Sequence, residues 1–138
     1  MKISQTIKQR LLDAGQRHFA NDNISEYINE GELELLQEEV KDKFQDVLET
    51  LCIDTQHDHN TNETAKRIAK MYVQEIFGGR FKPQPKVTAF PNMGYKSMYT
   101  SGPISVRSTC AHHFQNIVGK CWIGIIPEDQ VIGLSKFN

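Results

Sequence analysis

Cysteine is scarce and unevenly spaced in this chain. Cys52, Cys110 and Cys121 make an odd number, a poor disulfide framework that suits a reducing compartment. Long hydrophobic runs are missing as well. No apolar stretch approaches the roughly 20 residues of a membrane span, and the opening run MKISQTIKQRLLDAG is broken by charges where a signal peptide carries an apolar core. The expectation is a cytoplasmic protein with no membrane partner. An excess of positive charge is also lacking. Sixteen Lys and Arg stand against 17 Asp and Glu, for a formal net charge of -1, which gives no general attraction for nucleic-acid backbones. Internal repeats and low-complexity tracts are absent. The 138 residues are enough to bury a core.

What is present begins with helical periodicity. Ile3, Ile7, Leu11, Leu12 and Phe19 recur at mostly helical spacing and predict a helix over 3–20. In GELELLQEEVKDKFQDVLETL, the residues Leu33, Leu36, Val40, Phe44, Val47, Leu48 and Leu51 form one apolar stripe between charged faces, the pattern of a core helix. DTQHDHNTNET has no period and reads as a loop. His57 and His59 flank Asp58 there, but no third metal donor is evident nearby, so a solvated loop is the reading. A third helix is expected from near Asn62, a good cap residue, with Ile68, Ala69, Tyr72, Val73 and Ile76 on one face. Gly78 and Gly79 are expected to stop it. Arg67 is placed to pair with Glu63 four residues before it.

After residue 86 the period changes. KVTAF, SMYTSGPISVRST and CWIGIIP are rich in β-branched and aromatic residues and read as strands. NIVGK reads as the glycine-containing turn between the last two. Helices followed by an antiparallel hairpin predict an α+β fold. The N-terminal helical region is assigned to residues 1–60 and a second region to 61–138.

The chemistry concentrates in STCAHHFQNIVGK, residues 108–120. Thiolate and imidazole are ligand types that zinc prefers, and a catalytic zinc usually has three protein ligands and an open position for water. Two converging donors bind weakly alone, and a structural pair of histidines is the competing reading. Cys121 is the tempting third donor. In a hairpin turning near residues 118–119 it lies several rungs from His113, roughly 10 Å or more away. It and Cys52, at the end of the helix stripe, therefore read as packed small hydrophobes.

STCAHHF, the hairpin, and VIGLSKFN at 131–138 together resemble GTP cyclohydrolase I, a pterin-forming family of the tunnelling fold. NETAKRIAKMYVQEIFGG resembles the helix before that family's sheet. The likeness covers about residues 60–138 and loosens back to 32–51. Ala111 stands where the family often has glutamate, and Ala65 where proline is common. The resemblance implies the first half of a tunnelling-fold sheet. It implies zinc held by Cys110 and His113, with a later cysteine completing the site, and His112 transferring protons. Gly133 and Leu134 would present backbone near the base, with Ser135 and Lys136 at the ribose and triphosphate. The implied reaction converts GTP and water to 7,8-dihydroneopterin triphosphate and formate, the entry to tetrahydrofolate or deazapurine biosynthesis. It runs in a homo-oligomeric ring.

The family chain continues past GLSK-x-N into further helices and strands, so these residues look like its front half. Two alternatives follow. A non-catalytic half-protein would need a C-terminal half polypeptide, or full-length copies, for activity. A small metal-dependent nuclease would use the paired histidines, but the absence of a basic excess opposes it.

Overall fold

The computed structural model describes residues 2–133 and Lys136. The chain is α+β and divides into two compact units, Met1–Gln84 and Pro85–Asn138. The first is helical and the second is built of strands.

In the first unit, α1 (Ile3–Asp13) opens with the Lys2 N–H bonded to the Gln5 side chain at 3.4 Å. It ends well before the expected residue 20. Gly15 takes φ +62, and the N–H groups of Gly15 and Gln16 return to the carbonyls of Leu12 and Leu11. This is a Schellman closure, in which glycine adopts the left-handed conformation without a Cβ clash. Phe19 consequently lies outside the helix and is 69% exposed. A single 3₁₀ turn (Ser25–Tyr27) leads to α2 (Glu32–Thr50). Ile7, Leu11 and Ile24 are buried together, with Leu36 and Phe81 packed against them. Burial of each Leu or Ile side chain contributes about 1.5–3 kcal/mol. The Ser4 hydroxyl donates to Glu39 at 2.6 Å and ties the start of α1 to α2.

The α2 stripe is less buried than its periodicity suggests. Leu48 is buried, but Val47 is 51% and Leu51 65% exposed. Leu36, Val40, Phe44 and Val47 instead line an open groove of about 400 Å3. One helix flank is all that α1 covers. Cys52, read as core, is exposed at the end of α2.

The third helix starts at Thr64 as α3 (Thr64–Lys70) and widens into a π-helical stretch (Met71–Ile76). Its buried face is Ala65, Ala69 and Val73. Tyr72 stacks between Phe44 and Phe77 at centroid distances of 5.4 and 6.0 Å. The break falls at Phe77. Gly78 and Gly79 do not end the helical path but begin a further turn, α4 (Gly78–Phe81). There the Arg80 guanidinium donates to the backbone carbonyls of His18, Phe19 and Asp22 and fixes the loop after α1. Arg67 reaches the Asn60 carbonyl at 2.9 Å, and Glu63 lies 3.8 Å from Lys66 instead of pairing with Arg67.

The second unit holds two antiparallel pairs. β1 (Ala89–Pro91) pairs with β4 (Gln130–Ile132), with Ala89 opposite Ile132. β2 (Tyr99–Thr109) pairs with β3 (Asn116–Ile125), from Tyr99 opposite Ile125 to Thr109 opposite Asn116. An extra residue in β2 between Ser101 and Ile104 breaks the register. These strands agree with a partial tunnelling-fold sheet.

Candidate metal turn

NIVGK is not the hairpin turn. Asn116 to Lys120 are extended in β3, and Gly119 faces Val106 across the ladder. The β-branched run IVGKCWIGI fits that assignment better than a turn does. The reversal occurs instead in the histidine motif, over residues 110–115. The Cys110 N–H donates to the Gln115 carbonyl at 2.9 Å, and the Phe114 N–H donates to the Cys110 carbonyl at 2.8 Å. Phe114 takes φ 54, a left-handed conformation that costs a non-glycine residue about 1–2 kcal/mol. Both backbone groups of Cys110 are thereby used inside the turn, so the root of its side chain is held from two sides.

On this closed turn Cys110 is half-buried, while Ala111, His112, His113 and Phe114 are exposed. The Cys110 sulfur lies 3.9 Å from Nδ1 of His112. The imidazole rings of His112 and His113 are 6.4 Å apart. Ligand atoms on a tetrahedral zinc, at about 2.3 Å for sulfur and 2.0–2.1 Å for nitrogen, stand about 3.6 Å from each other. The Cys110–His112 pair therefore fits zinc in donor type and nearly in span. No group of three His, Cys, Asp or Glu side chains close enough to hold a metal occurs among the described residues.

The other expected site residues fall into three groups. Gly133 and Lys136 adjoin the short sheet: the Gly133 N–H donates to the Thr88 carbonyl at 3.0 Å, and the Lys136 N–H donates to the Gly133 carbonyl at 3.0 Å. Leu134 and Ser135 lie outside the described residues. Cys121 stands opposite Ile104, five residues along β3 from Asn116, about 17 Å at strand rise. Its exclusion from the turn holds, though the hairpin reverses at a different place. In the Asp54–Thr61 loop, His57 Nδ1 is 2.9 Å from Asp54 and both are exposed. The Asp54 carboxyl is held below its usual range by hydrogen bonds from the His57 side chain and backbone N–H. What sequence reasoning missed is the role of Phe114 and Gln115 in closing the turn. The signal was available in the polar AHHFQ segment between two β-rich runs.

The family model for GTP cyclohydrolase I matches residues 40–138. GTP cyclohydrolase 1 of Serratia proteamaculans (strain 568) is 44% identical over 101 residues, covering 72% of this chain and 45% of the relative. That of Flavobacterium johnsoniae is 37% identical over 133 residues, 91% of this chain and 58% of the relative. That of Yersinia pseudotuberculosis serotype O:1b is 48% identical over 83 residues, 59% and 38% respectively. The chain spans about half the length of the curated relatives it matches. No helix among the described residues is long and apolar enough to cross a membrane. With the family model covering the strands, the histidine turn and the helix before them, the chain belongs to the GTP cyclohydrolase I family.

Proposed function

We propose that this chain carries the metal-binding and proton-transfer half of a zinc-dependent hydrolase that opens the guanine ring of GTP. The products are 7,8-dihydroneopterin triphosphate and formate, at the entry to a pterin pathway in the cytoplasm. The observation that carries this reading is the closed turn at 110–115, which brings a cysteine and two histidines into one exposed loop within the family match.

Cys110 and His113 would hold the zinc. When bound, the ion supplies Lewis-acid activation of water near neutral pH. His112 transfers protons at the imidazole ring of the purine, work for which imidazole is the suited side chain. Gly133 and Leu134 offer backbone to the base. Ser135 and Lys136 meet the ribose and triphosphate, Lys136 as a point charge with three donors.

The 3.9 Å contact between Cys110 and His112 favours a rival assignment, with His112 as the ligand and His113 as the proton carrier. Metal analysis decides. In protein completed by a C-terminal half, His113→Ala is expected to lose zinc. His112→Ala is expected to keep zinc and lose about 10²-fold or more in rate, the scale of general acid–base help. Zinc loss in His112→Ala with retention in His113→Ala would exchange the two roles.

A second reading is a half-protein that acts only with a partner polypeptide or in a homo-oligomeric ring. Its support is the ligand count: with two donors from the turn, no three-residue metal group is present among the described residues.

A further inference from the structure

Besides the α2 groove, the helical unit has a cavity of about 320 Å3 between α1, the loop after it, α2 and α4. That size lies at the small end for ligand sites. Its floor is the apolar cluster of Ile7, Leu11, Ile24, Leu36 and Phe81. Its walls carry Lys8, His18 and Arg80. All acidic residues but Glu128 and Asp129 belong to this unit, which has a formal charge of -4. Yet no Asp or Glu among the described residues lines the cavity. A water-filled dent between helices would show no such selection of sign.

The neighbouring carboxylates are engaged elsewhere. Ser4, which lines the cavity, donates from its hydroxyl and its N–H to Glu39. Asp22 accepts from the Arg17 guanidinium at 2.7 Å. The cations are left without a counter-charge: neither Lys8 nor Arg80 is in an ion pair with a carboxylate among the described residues. The Arg80 guanidinium donates to the carbonyls of His18, Phe19 and Asp22, whose dipoles hold it in place without neutralising it. Burial pushes its pKa below the usual arginine value, with the Asp22 charge acting the other way. Desolvated charges are ordinarily paired, because leaving one alone is costly. His18 Nδ1 lies 3.2 Å from the Gln16 carbonyl, which leaves Nε2 for another partner.

We propose that this cavity binds a small amphipathic anion, a carboxylate on an apolar chain. The carboxylate sits against the Lys8 ammonium, a point charge with three donors, and is drawn by the Arg80 charge. The chain displaces water from the Ile24 and Phe81 side chains. Cations beside an apolar wall attract an anion more strongly than in open water, because the local dielectric is lower. The inference goes beyond the proposed function and rests on neither the metal turn nor the reaction. A bound carboxylate would tie α1 to α4 and to the loop between His18 and Ile24, and so brace the helical unit.

The isotope-labelled chain is titrated with sodium octanoate at fixed ionic strength, and the backbone amide resonances of Lys8, His18, Ile24 and Phe81 are followed by NMR. A saturable shift of these amides is expected. Acetate, which has the charge without the chain, and octanol, which has the chain without the charge, are each expected to bind about tenfold or more weakly. No saturable shift at these residues, or octanol binding as tightly as octanoate, overturns the proposal. A Lys8→Gln/His18→Gln double variant is expected to lose about tenfold or more in affinity. The same affinity in a variant with unaltered far-UV circular dichroism also overturns it. Should the double variant lose its fold, Lys8→Gln alone, at an exposed position, takes its place and is expected to weaken binding several-fold. Lys43→Gln, in the neighbouring α2 groove, is expected to leave octanoate binding unchanged. A loss there equal to that of Lys8→Gln would move the ligand to the groove and contradict the assignment.

Discussion

Cys52 ends α2 with φ 61. The N–H groups of Cys52 and Ile53 return to the carbonyls of Glu49 and Leu48, the same closure that Gly15 provides for α1. A Cβ in this conformation costs about 1–2 kcal/mol. Cys52→Gly is therefore expected to stabilise the chain by about 1 kcal/mol, read as an upward shift of the chemical-denaturation midpoint with an unchanged slope. A second residue-scale effect concerns Glu32. The two terminal guanidinium nitrogens of Arg10 donate to its carboxylate at 2.6 and 2.7 Å. With the Asn29 backbone N–H they lower its pKa from 4.5 to about 2. A carboxylate lowered in the folded state stabilises that state above its unfolded pKa. The contribution is lost as pH falls from about 4.5 to about 2. Glu32→Gln is expected to flatten the fall in stability over that window, measured by denaturant midpoints at stepped pH. An unchanged profile would show that the pair does not persist in solution.

At the scale of elements, the β2–β3 hairpin depends on one close approach. Gly102 lies at the register break with φ +153, and a Cβ there would stand 2.5 Å from the Trp122 ring and 3.0 Å from the Cys121 carbonyl. Gly102→Ala is expected to destabilise the hairpin by about 1–3 kcal/mol, the usual cost of overpacking, with altered Trp122 emission as the local sign. The same elements show what was legible in the sequence. Strands within SMYTSGPISVRST and CWIGIIP follow from their β-branched and aromatic content, and α2 follows from its stripe, but residues 116–120 of β3 were read as a turn. The position of the turn was misread because glycine was taken as its marker, whereas Phe114 makes the left-handed step. The end of α1 was overrun because Phe19 falls in helical phase, although Gly15 carries the stop signal. Exposure of Val47 and Leu51 was not legible, since periodicity gives the apolar face of a helix but not what covers it. The motif residues Cys110, His112 and His113 were found by type and spacing. Which histidine faces the sulfur depends on turn geometry that no spacing rule supplies.

At the scale of the whole molecule, the chain joins an acidic helical unit to a basic strand unit and matches about half the length of its relatives. Catalysis by these residues is proposed to need a third zinc donor and further contacts to the nucleotide, because two ligands hold zinc weakly and each missing charge-assisted hydrogen bond costs about 1.5–3 kcal/mol. The most direct measurement is pterin formation from GTP, followed by fluorescence of the oxidised product in the presence of zinc. It is run on the 138-residue chain alone, on the chain completed by a relative's C-terminal half, and on the completed protein with Cys110→Ser. The expected result is near-background turnover alone, robust turnover when completed, and loss of that turnover in the variant. Undiminished turnover in completed Cys110→Ser would contradict the metal-turn reading, and robust turnover by the short chain alone would contradict the need for a third donor from elsewhere.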